Sequence, residues 1–220
     1  SDMTSHVTRA GDGIPLEGLT EKWSGDADFV ADAPKENTTS MSIADADGNM
    51  ICLTQSLGSA YGSGVMIPGT GVILNNFLNW TDLDPGSPNT LQPGQRLAMC
   101  MAPSISTRDG KGILALGTPG SYGILQTQVQ ALVGHVDFDL DVQAAVEMPR
   151  ARLWDGKQVY LERRVPHPVC VELSARGHDI VLLPEYSWRT GGMQAVSRDP
   201  NSGALAGAAD SRRDGAAVPA

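Results

Sequence analysis

Thr38-Thr39-Ser40-Met41-Ser42-Ile43-Ala44-Asp45-Ala46-Asp47-Gly48-Asn49-Met50-Ile51-Cys52-Leu53-Thr54 is the stretch whose reading decides the fold. From Thr39 onward the residues alternate, Thr39, Met41 and Ile43 against Ser40, Ser42 and Ala44, which is the period of a half-buried strand. Asp47-Gly48 supplies a hairpin turn, and Met50 to Thr54 returns as a second, apolar strand. Thr38 therefore heads the first strand of a hairpin. Cleavage of the peptide bond before it would put a free amine and a hydroxyl on one residue, base beside nucleophile. Threonine is also an ordinary strand former, so the hairpin by itself does not assign catalysis.

The remaining composition narrows the classes. A chain of 220 residues is long enough for one sizeable domain, or a domain with an appendage. Hydrophobic residues at 41% and charged residues at 19% describe a globular, soluble protein. A net charge of −9 leaves no basic stripe for phosphates, so a nucleic-acid partner is not expected. Aromatic residues, at 5%, are too few for a base-stacking platform. No apolar run approaches the length of a membrane span. Cys52, Cys100 and Cys170 are widely separated, as are His6, His135, His167 and His178, so neither a metal site nor a cofactor is expected. Nothing near Ser1 reads as a signal peptide, and no compartment is assigned.

Residues 1–37 carry Gly11-Asp12-Gly13, Trp23, several aspartates and Pro34-Lys35-Glu36-Asn37 with little periodicity, and read as an extended segment or linker. Regular patterning starts at Thr38. A Gly-rich stretch from Gly58 to Gly71 leads to an expected strand, Val72-Ile73-Leu74, ending in Asn75-Asn76. Thr81 to Arg96 is polar, Pro-rich and long, the pattern of a surface or site-covering loop. Ile113 to Leu116 is expected as a buried strand. A helix from Tyr122 to Val136 is expected to bury Ile124, Leu125, Val129, Leu132 and Val133, followed by helices at 141–148 and 169–175. Short strands are expected at 180–183, 193–197 and 204–208. Strands, then helices, then strands imply a layered α/β (α+β) domain with largely antiparallel sheets.

Three places carry possible chemistry. Gly117-Thr118-Pro119-Gly120-Ser121 joins a buried strand to a helix, where free backbone N–H groups and the positive end of the helix dipole suit an oxyanion; a plain tight turn has the same composition. Thr54 and Ser56 share one face of the second hairpin strand, where a hydroxyl opposite Thr38 is placed to orient or polarise its Oγ; a plain polar face of a sheet has the same pattern. Cys100, between Met99 and Met101, has no histidine near it in sequence and reads as a buried apolar cysteine.

Taken together, these residues resemble the small subunit of the γ-glutamyltransferases, a family of N-terminal nucleophile hydrolases. The resemblance rests on Thr38-Thr39 with Ser42 and Asp45-Ala46-Asp47-Gly48-Asn49, on Gly62-Ser63-Gly64 and on Gly71-Val72-Ile73-Leu74-Asn75-Asn76. It continues through Met101-Ala102-Pro103-Ser104-Ile105, Gly117-Thr118-Pro119-Gly120, Met148-Pro149-Arg150 and Ala209-Asp210-Ser211-Arg212, in the family's order and over nearly all of 38–220. It implies a four-layer αββα sandwich, with residues 1–37 as the C-terminal tail of the large subunit and 38–220 as the small-subunit catalytic region. It implies autocleavage between Asn37 and Thr38, Thr38 as nucleophile, Ser56 as the hydroxyl that contacts it, and the amides of Gly120 and Ser121 as the oxyanion hole. The partners implied are the large subunit of the same precursor and a small-molecule amide substrate.

The substrate side departs from the family pattern. Positions whose polar residues hold the glutamyl α-amine read Phe77 and Trp80 here. The adjacent serines that hold the α-carboxylate correspond to Met99 and Cys100, and a family asparagine appears as Gly58. A zwitterionic head would face apolar groups, and an unpaired buried charge is costly. The expectation is a threonine amide hydrolase of this family, more hydrolase than transpeptidase and not γ-glutamyl-specific. A genuine glutathione hydrolase and an unprocessed binding module stand as the alternatives.

Overall fold

A computed structural model of the chain describes residues 14–15 and 36–219. The expected large-subunit tail at 1–37 lies almost wholly outside the described residues. The hairpin forms as β2 (Glu36–Ala44) and β3 (Met50–Ser59), with β1 (Ile14–Pro15) placed elsewhere. The turn is closed by Asp45, whose carboxylate accepts the Asn49 N–H at 2.9 Å and the Asn49 side-chain amide at 2.8 Å. Gly48, at φ +90°, supplies the left-handed residue the turn needs.

The alternation along the hairpin is as expected, but its faces are reversed. Met41, Ile43, Ile51 and Leu53 are exposed, while Ser40, Ser42, Cys52 and Thr54 face inward. The reason is the closeness of the next sheet. A Cβ on Gly117 would stand 2.1 Å from Ser40 Oγ, 3.0 Å from Cys52 Sγ and 3.2 Å from Thr54 Oγ1. Only small side chains fit such a contact, and Ser42 fastens it by donating to the Gln194 carbonyl at 2.9 Å.

That next sheet is antiparallel, in the order β10-β9-β5-β4, from β4 (Ser104–Arg108), β5 (Lys111–Gly117), β9 (Gln194–Arg198) and β10 (Leu205–Ala209). Its far face is covered by α1 (Ile124–Val136) and α2 (Val142–Glu147), burying Leu114, Leu116, Ala131, Val142, Val146, Met193, Ala195 and Ala208 in one core. Asp141 caps α2 by accepting the Ala144 N–H at 2.9 Å. The layers thus run helices, sheet, hairpin.

A second four-stranded sheet, β1-β8-β7-β6, uses β6 (Ala151–Asp155), β7 (Gln158–Glu162) and β8 (Asp179–Leu183). α3 (His167–Ala175) crosses between the parallel pair β7 and β8 and buries its Cys170 against Val159, Leu161, Ile180 and Leu182. The edge strand β6 is met by two glutamines of α1. Gln126 exchanges both amide bonds with Leu153, at 2.7 and 3.2 Å, and Gln130 does the same with Ala151, at 2.9 and 2.7 Å. Gln143 of α2 treats Ala209 on the edge strand β10 in the same way. Each side-chain amide stands in for the missing neighbouring strand, which closes edges that would otherwise invite pairing.

Two expectations are corrected. Only part of the apolar stripe on α1 is buried: Ile124 is buried and Leu132 packs on the core, but Leu125 and Val129 are 55% and 56% exposed, and Thr127, Gln128, Ala131 and Gly134 turn inward instead. Gln128 donates to the Leu116 carbonyl at 2.7 Å, and a Cβ on Gly134 would stand 2.8 Å from Met148 Sδ, so close backbone approach and polar anchoring set the helix rotation. Val72-Ile73-Leu74 is not a strand. It returns on Val65–Ile67 through single backbone bonds and the one bridge Met66–Ile73, around Gly69 and Gly71 at positive φ.

A buried ionic cluster ties the two four-stranded sheets together. Arg150 pairs with Asp210 at 2.7 Å, and Arg212 with Glu162 at 2.6 Å and Asp210 at 3.0 Å, with all four side chains fully buried. Burial pushes both carboxyls up, but the arginines outweigh it and hold Glu162 and Asp210 below the usual carboxylate range. Burial also lowers Arg150 to about 10, against the pull of Asp210.

Two outcomes follow from this architecture. Gln130→Leu, which strands both backbone groups of Ala151, lowers the urea-unfolding free energy by about 1–3 kcal/mol. Because the folded-state carboxyl pKa values are depressed, their contribution is present above about pH 4 and is lost as pH falls through the folded values. Thermal midpoints measured against pH therefore drop on the acid side. Glu162→Gln flattens that limb and costs roughly 3–5 kcal/mol at neutral pH by leaving two buried arginines, Arg150 and Arg212, to the single carboxylate of Asp210.

Candidate active site

Pairing between β2 and β3 slips by one residue at the Asn37–Thr38 peptide: Thr38 faces Ser56, whereas Asn37 faces Gly58. The extra residue, Leu57, makes a bulge, a device that re-aims side chains next to it. Thr38 Oγ1 donates to Ser56 Oγ at 2.8 Å. Ser56 Oγ in turn donates to the Asn37 carbonyl oxygen at 3.0 Å and accepts the Gly58 N–H at 3.0 Å. Its one proton and both lone pairs are thereby used. A single serine hydroxyl thus links the threonine hydroxyl to the carbonyl of the peptide bond directly before it.

The strand-to-helix turn approaches the same place. β5 ends at Gly117, residues 118–120 are buried, and a 3-10 turn, Ser121–Gly123, leads into α1. Gly120 sits at φ +136° and Ser121 at φ +53°. The left-handed conformation of Ser121 costs a non-glycine residue about 1–2 kcal/mol, so the turn is held by its surroundings. Among the described residues no acceptor takes the Gly120 or Ser121 amide, as befits the first donors of a helical segment.

Thr38, Ser56, Gly58, Phe77, Trp80, Cys100 and Ser121 line one small, open pocket, with Met101 and Ile124. Gly120, the residue before Ser121, is not among the lining residues. Met99 is not part of the lining, where Met101 stands instead. No charged side chain lines this pocket among the described residues. Phe77 and Trp80 lie on a 3-10 turn (Phe77–Trp80), with ring centroids 5.7 Å apart, edge to face. Trp80 stacks on Tyr122 at 5.3 Å. Tyr122 escaped sequence reading, although its place directly after Ser121 was a usable signal. Asn89 also escaped it: its side chain donates to the Trp80 carbonyl at 2.7 Å and accepts the Ala98 N–H at 2.9 Å. It thereby closes the Pro-rich loop between two walls of the pocket.

Gly58 is more than a missing asparagine. It adopts φ +89°, and a Cβ there would stand 2.1 Å from Asn76 Oδ1. That oxygen accepts the Ser59 N–H at 3.2 Å, and the Asn76 amide donates to Ser59 Oγ. Asn76 therefore secures the end of β3, over the space a side chain at 58 would need. No three His, Cys, Asp or Glu among the described residues are grouped to hold a metal. No described helix is long and apolar enough to cross a membrane.

A hairpin with a hydroxyl residue near its start, stacked on a second sheet with helices behind, is the layout of the αββα N-terminal nucleophile hydrolases. Residues 10–220 match the model of the gamma-glutamyltranspeptidase family, and the chain belongs to that family. It is 39% identical over 183 residues to the acylase ACY 1 proenzyme of Pseudomonas sp. strain SE83, covering 83% of this chain and 32% of the relative. It is 35% identical over 187 residues to the glutathione hydrolase proenzyme of Bacillus subtilis strain 168, covering 85% and 31%. Among solved structures it superposes on the gamma-glutamyltranspeptidase of Pseudomonas nitroreducens complexed with L-DON with a TM-score of 0.71 at 33% identity, over 83% of this chain and 99% of that one. The chain spans about a third of the length of these curated relatives.

Gly58→Ala meets both a left-handed backbone and the Asn76 amide, so it destabilises by more than about 1 kcal/mol in denaturant unfolding. Adding Asn76→Ala removes the clash but not the backbone strain. The double variant then loses measurably less than the two single losses combined.

Proposed function

We propose that the protein is a threonine amide hydrolase that matures by cutting itself between Asn37 and Thr38. Residues 1–37 are then the tail of a large subunit and 38–220 the small subunit. The observation that carries this reading is the hydrogen-bond chain from Thr38 Oγ1 through Ser56 Oγ to the Asn37 carbonyl. In the uncut chain Ser56 polarises the carbonyl that Thr38 attacks. The attack shifts the Asn37 acyl group from the Thr38 nitrogen to its oxygen, which frees the Thr38 amine, and water then hydrolyses the ester to release the Asn37 carboxylate and the Thr38 hydroxyl.

In turnover the free amine takes the Oγ proton. An α-amine titrates near ~7.7–8.0, so it serves as a base close to neutral pH without a histidine. Thr38 Oγ adds to the substrate amide carbon, and the Gly120 and Ser121 amides hold the oxyanion, each worth roughly 3–4 kcal/mol. The leaving amine departs with the transferred proton, and water hydrolyses the ester on Thr38.

The absence of charged groups from the described pocket wall supports an uncharged, partly apolar acyl group over a glutamyl head. Glutathione hydrolysis is the second reading. It is favoured by the Bacillus subtilis relative's name and requires charged contacts from outside the described residues. The partner is the remainder of the precursor. The exposed apolar face of Met41, Ile43, Ile51 and Leu53 suits a helical layer from it, completing the sandwich.

The test is turnover of butyryl, phenylacetyl and γ-glutamyl p-nitroanilides by the full-length protein. An apolar acyl substrate is expected to exceed γ-glutamyl in kcat/KM by about tenfold or more. All activity disappears in Thr38→Ala, and kcat/KM falls as pH drops below about 8. A γ-glutamyl preference installs the second reading, and no turnover of any amide by a cleaved protein overturns both.

A further inference from the structure

Thr118 is wholly buried between the end of β5 and the donor turn. Its hydroxyl donates to the Pro119 carbonyl oxygen at 2.7 Å and accepts the Gly192 N–H at 3.0 Å. The peptide unit joining Pro119 to Gly120 is trans, since no cis bond occurs among the described residues. In a planar trans peptide the C=O and the N–H point to opposite sides. Whatever holds the Pro119 oxygen therefore also aims the Gly120 N–H.

Nothing else in the turn performs that task by conformation alone. Flipping this peptide changes ψ of Pro119 and φ of Gly120, and glycine tolerates either sign of φ. The hydroxyl, in contrast, is firmly based. Gly191, at φ +99°, must be a glycine for it, because a Cβ there would stand 2.5 Å from Thr118 Oγ1. The preceding carbonyl, Thr190 O, is held by Arg150 Nη1 at 2.8 Å, which ties the Gly191-Gly192 segment to the buried ionic cluster.

We propose that Thr118 is a positioning residue for the oxyanion hole: its hydroxyl locks the Pro119–Gly120 peptide in the orientation that presents the Gly120 N–H to the pocket. The proposal rests on the reading of Gly120 and Ser121 as oxyanion donors. Its chemistry is purely orientational, and no bond to Thr118 is made or broken.

The test compares Thr118→Val and Thr118→Ser in the full-length protein, using whichever of the three p-nitroanilides wild type turns over fastest. Thr118→Val keeps the shape and removes the hydroxyl. It is expected to lower kcat by about 100-fold or more, with KM within about threefold of wild type and cleavage before Thr38 intact. Thr118→Ser restores the hydroxyl and recovers at least about a third of wild-type kcat, a rescue that a simple packing role would not produce. Should Thr118→Val fail to fold, Thr118→Ala carries the same expectation. Near-normal kcat in the folded hydroxyl-less variant, with wild type active and Thr38→Ala dead, overturns the proposal and leaves the hydrolase reading standing. A serine variant as slow as the valine one also overturns it. A cleaved wild type inactive on all three amides overturns the hydrolase reading instead.

Discussion

The near-contact of Gly117 with the small polar face of the hairpin is the constraint on which the rest of the site depends. With Ser40 Oγ only 2.1 Å from where a Cβ on Gly117 would be, any larger residue at 117 pushes the hairpin off the second sheet. Thr38 lies two residues before Ser40, and the donor turn starts one residue after Gly117. One backbone approach therefore fixes the distance between the Thr38 hydroxyl of the hairpin and the backbone amides of the turn after β5. It also dictates that Ser, Cys and Thr face inward and that Met41, Ile43, Ile51 and Leu53 face outward, against convention for an isolated domain.

A second set of interactions holds the turn from behind. Arg150, Glu162, Asp210 and Arg212 neutralise one another without solvent, and some of their polar atoms bind the backbone behind the turn. Glu162 accepts the Thr190 hydroxyl at 2.9 Å and the Ser187 N–H at 3.1 Å, and Arg150 binds the Thr190 carbonyl. Gly191 and Gly192 then meet Gly120 and Thr118. An ion cluster that is a weak source of stability here gives a glycine-rich segment one position. Ser121 keeps its strained left-handed backbone because both sides of the turn are fastened.

Much of the site was legible because its residues lie on short regular pieces. The spacing from Thr38 to Ser56 follows from the hairpin turn at Asp47-Gly48, and the donor turn announces itself by glycine and proline between an apolar run and a helix. Phe77, Trp80 and Cys100 were reachable through the family pattern. Tertiary packing decided the rest. The apolar stripe of α1 misled at Leu125 and Val129 because Gln126, Gln128 and Gln130 fix the helix rotation by polar contacts that hydrophobic periodicity does not register. β6 and β7, and the pairing of β4, were missed because their short segments, such as Ala151–Asp155, mix charged and apolar residues without clean alternation. The Ser56 to Asn37 contact depends on a bulge that no local motif encodes.

The central claim is that this geometry breaks the bond before Thr38 and leaves an N-terminal threonine. Intact mass and N-terminal sequencing of the full-length protein after expression test it directly. The account predicts two fragments, the smaller beginning at Thr38. A single uncut chain, stable on prolonged incubation, would contradict it.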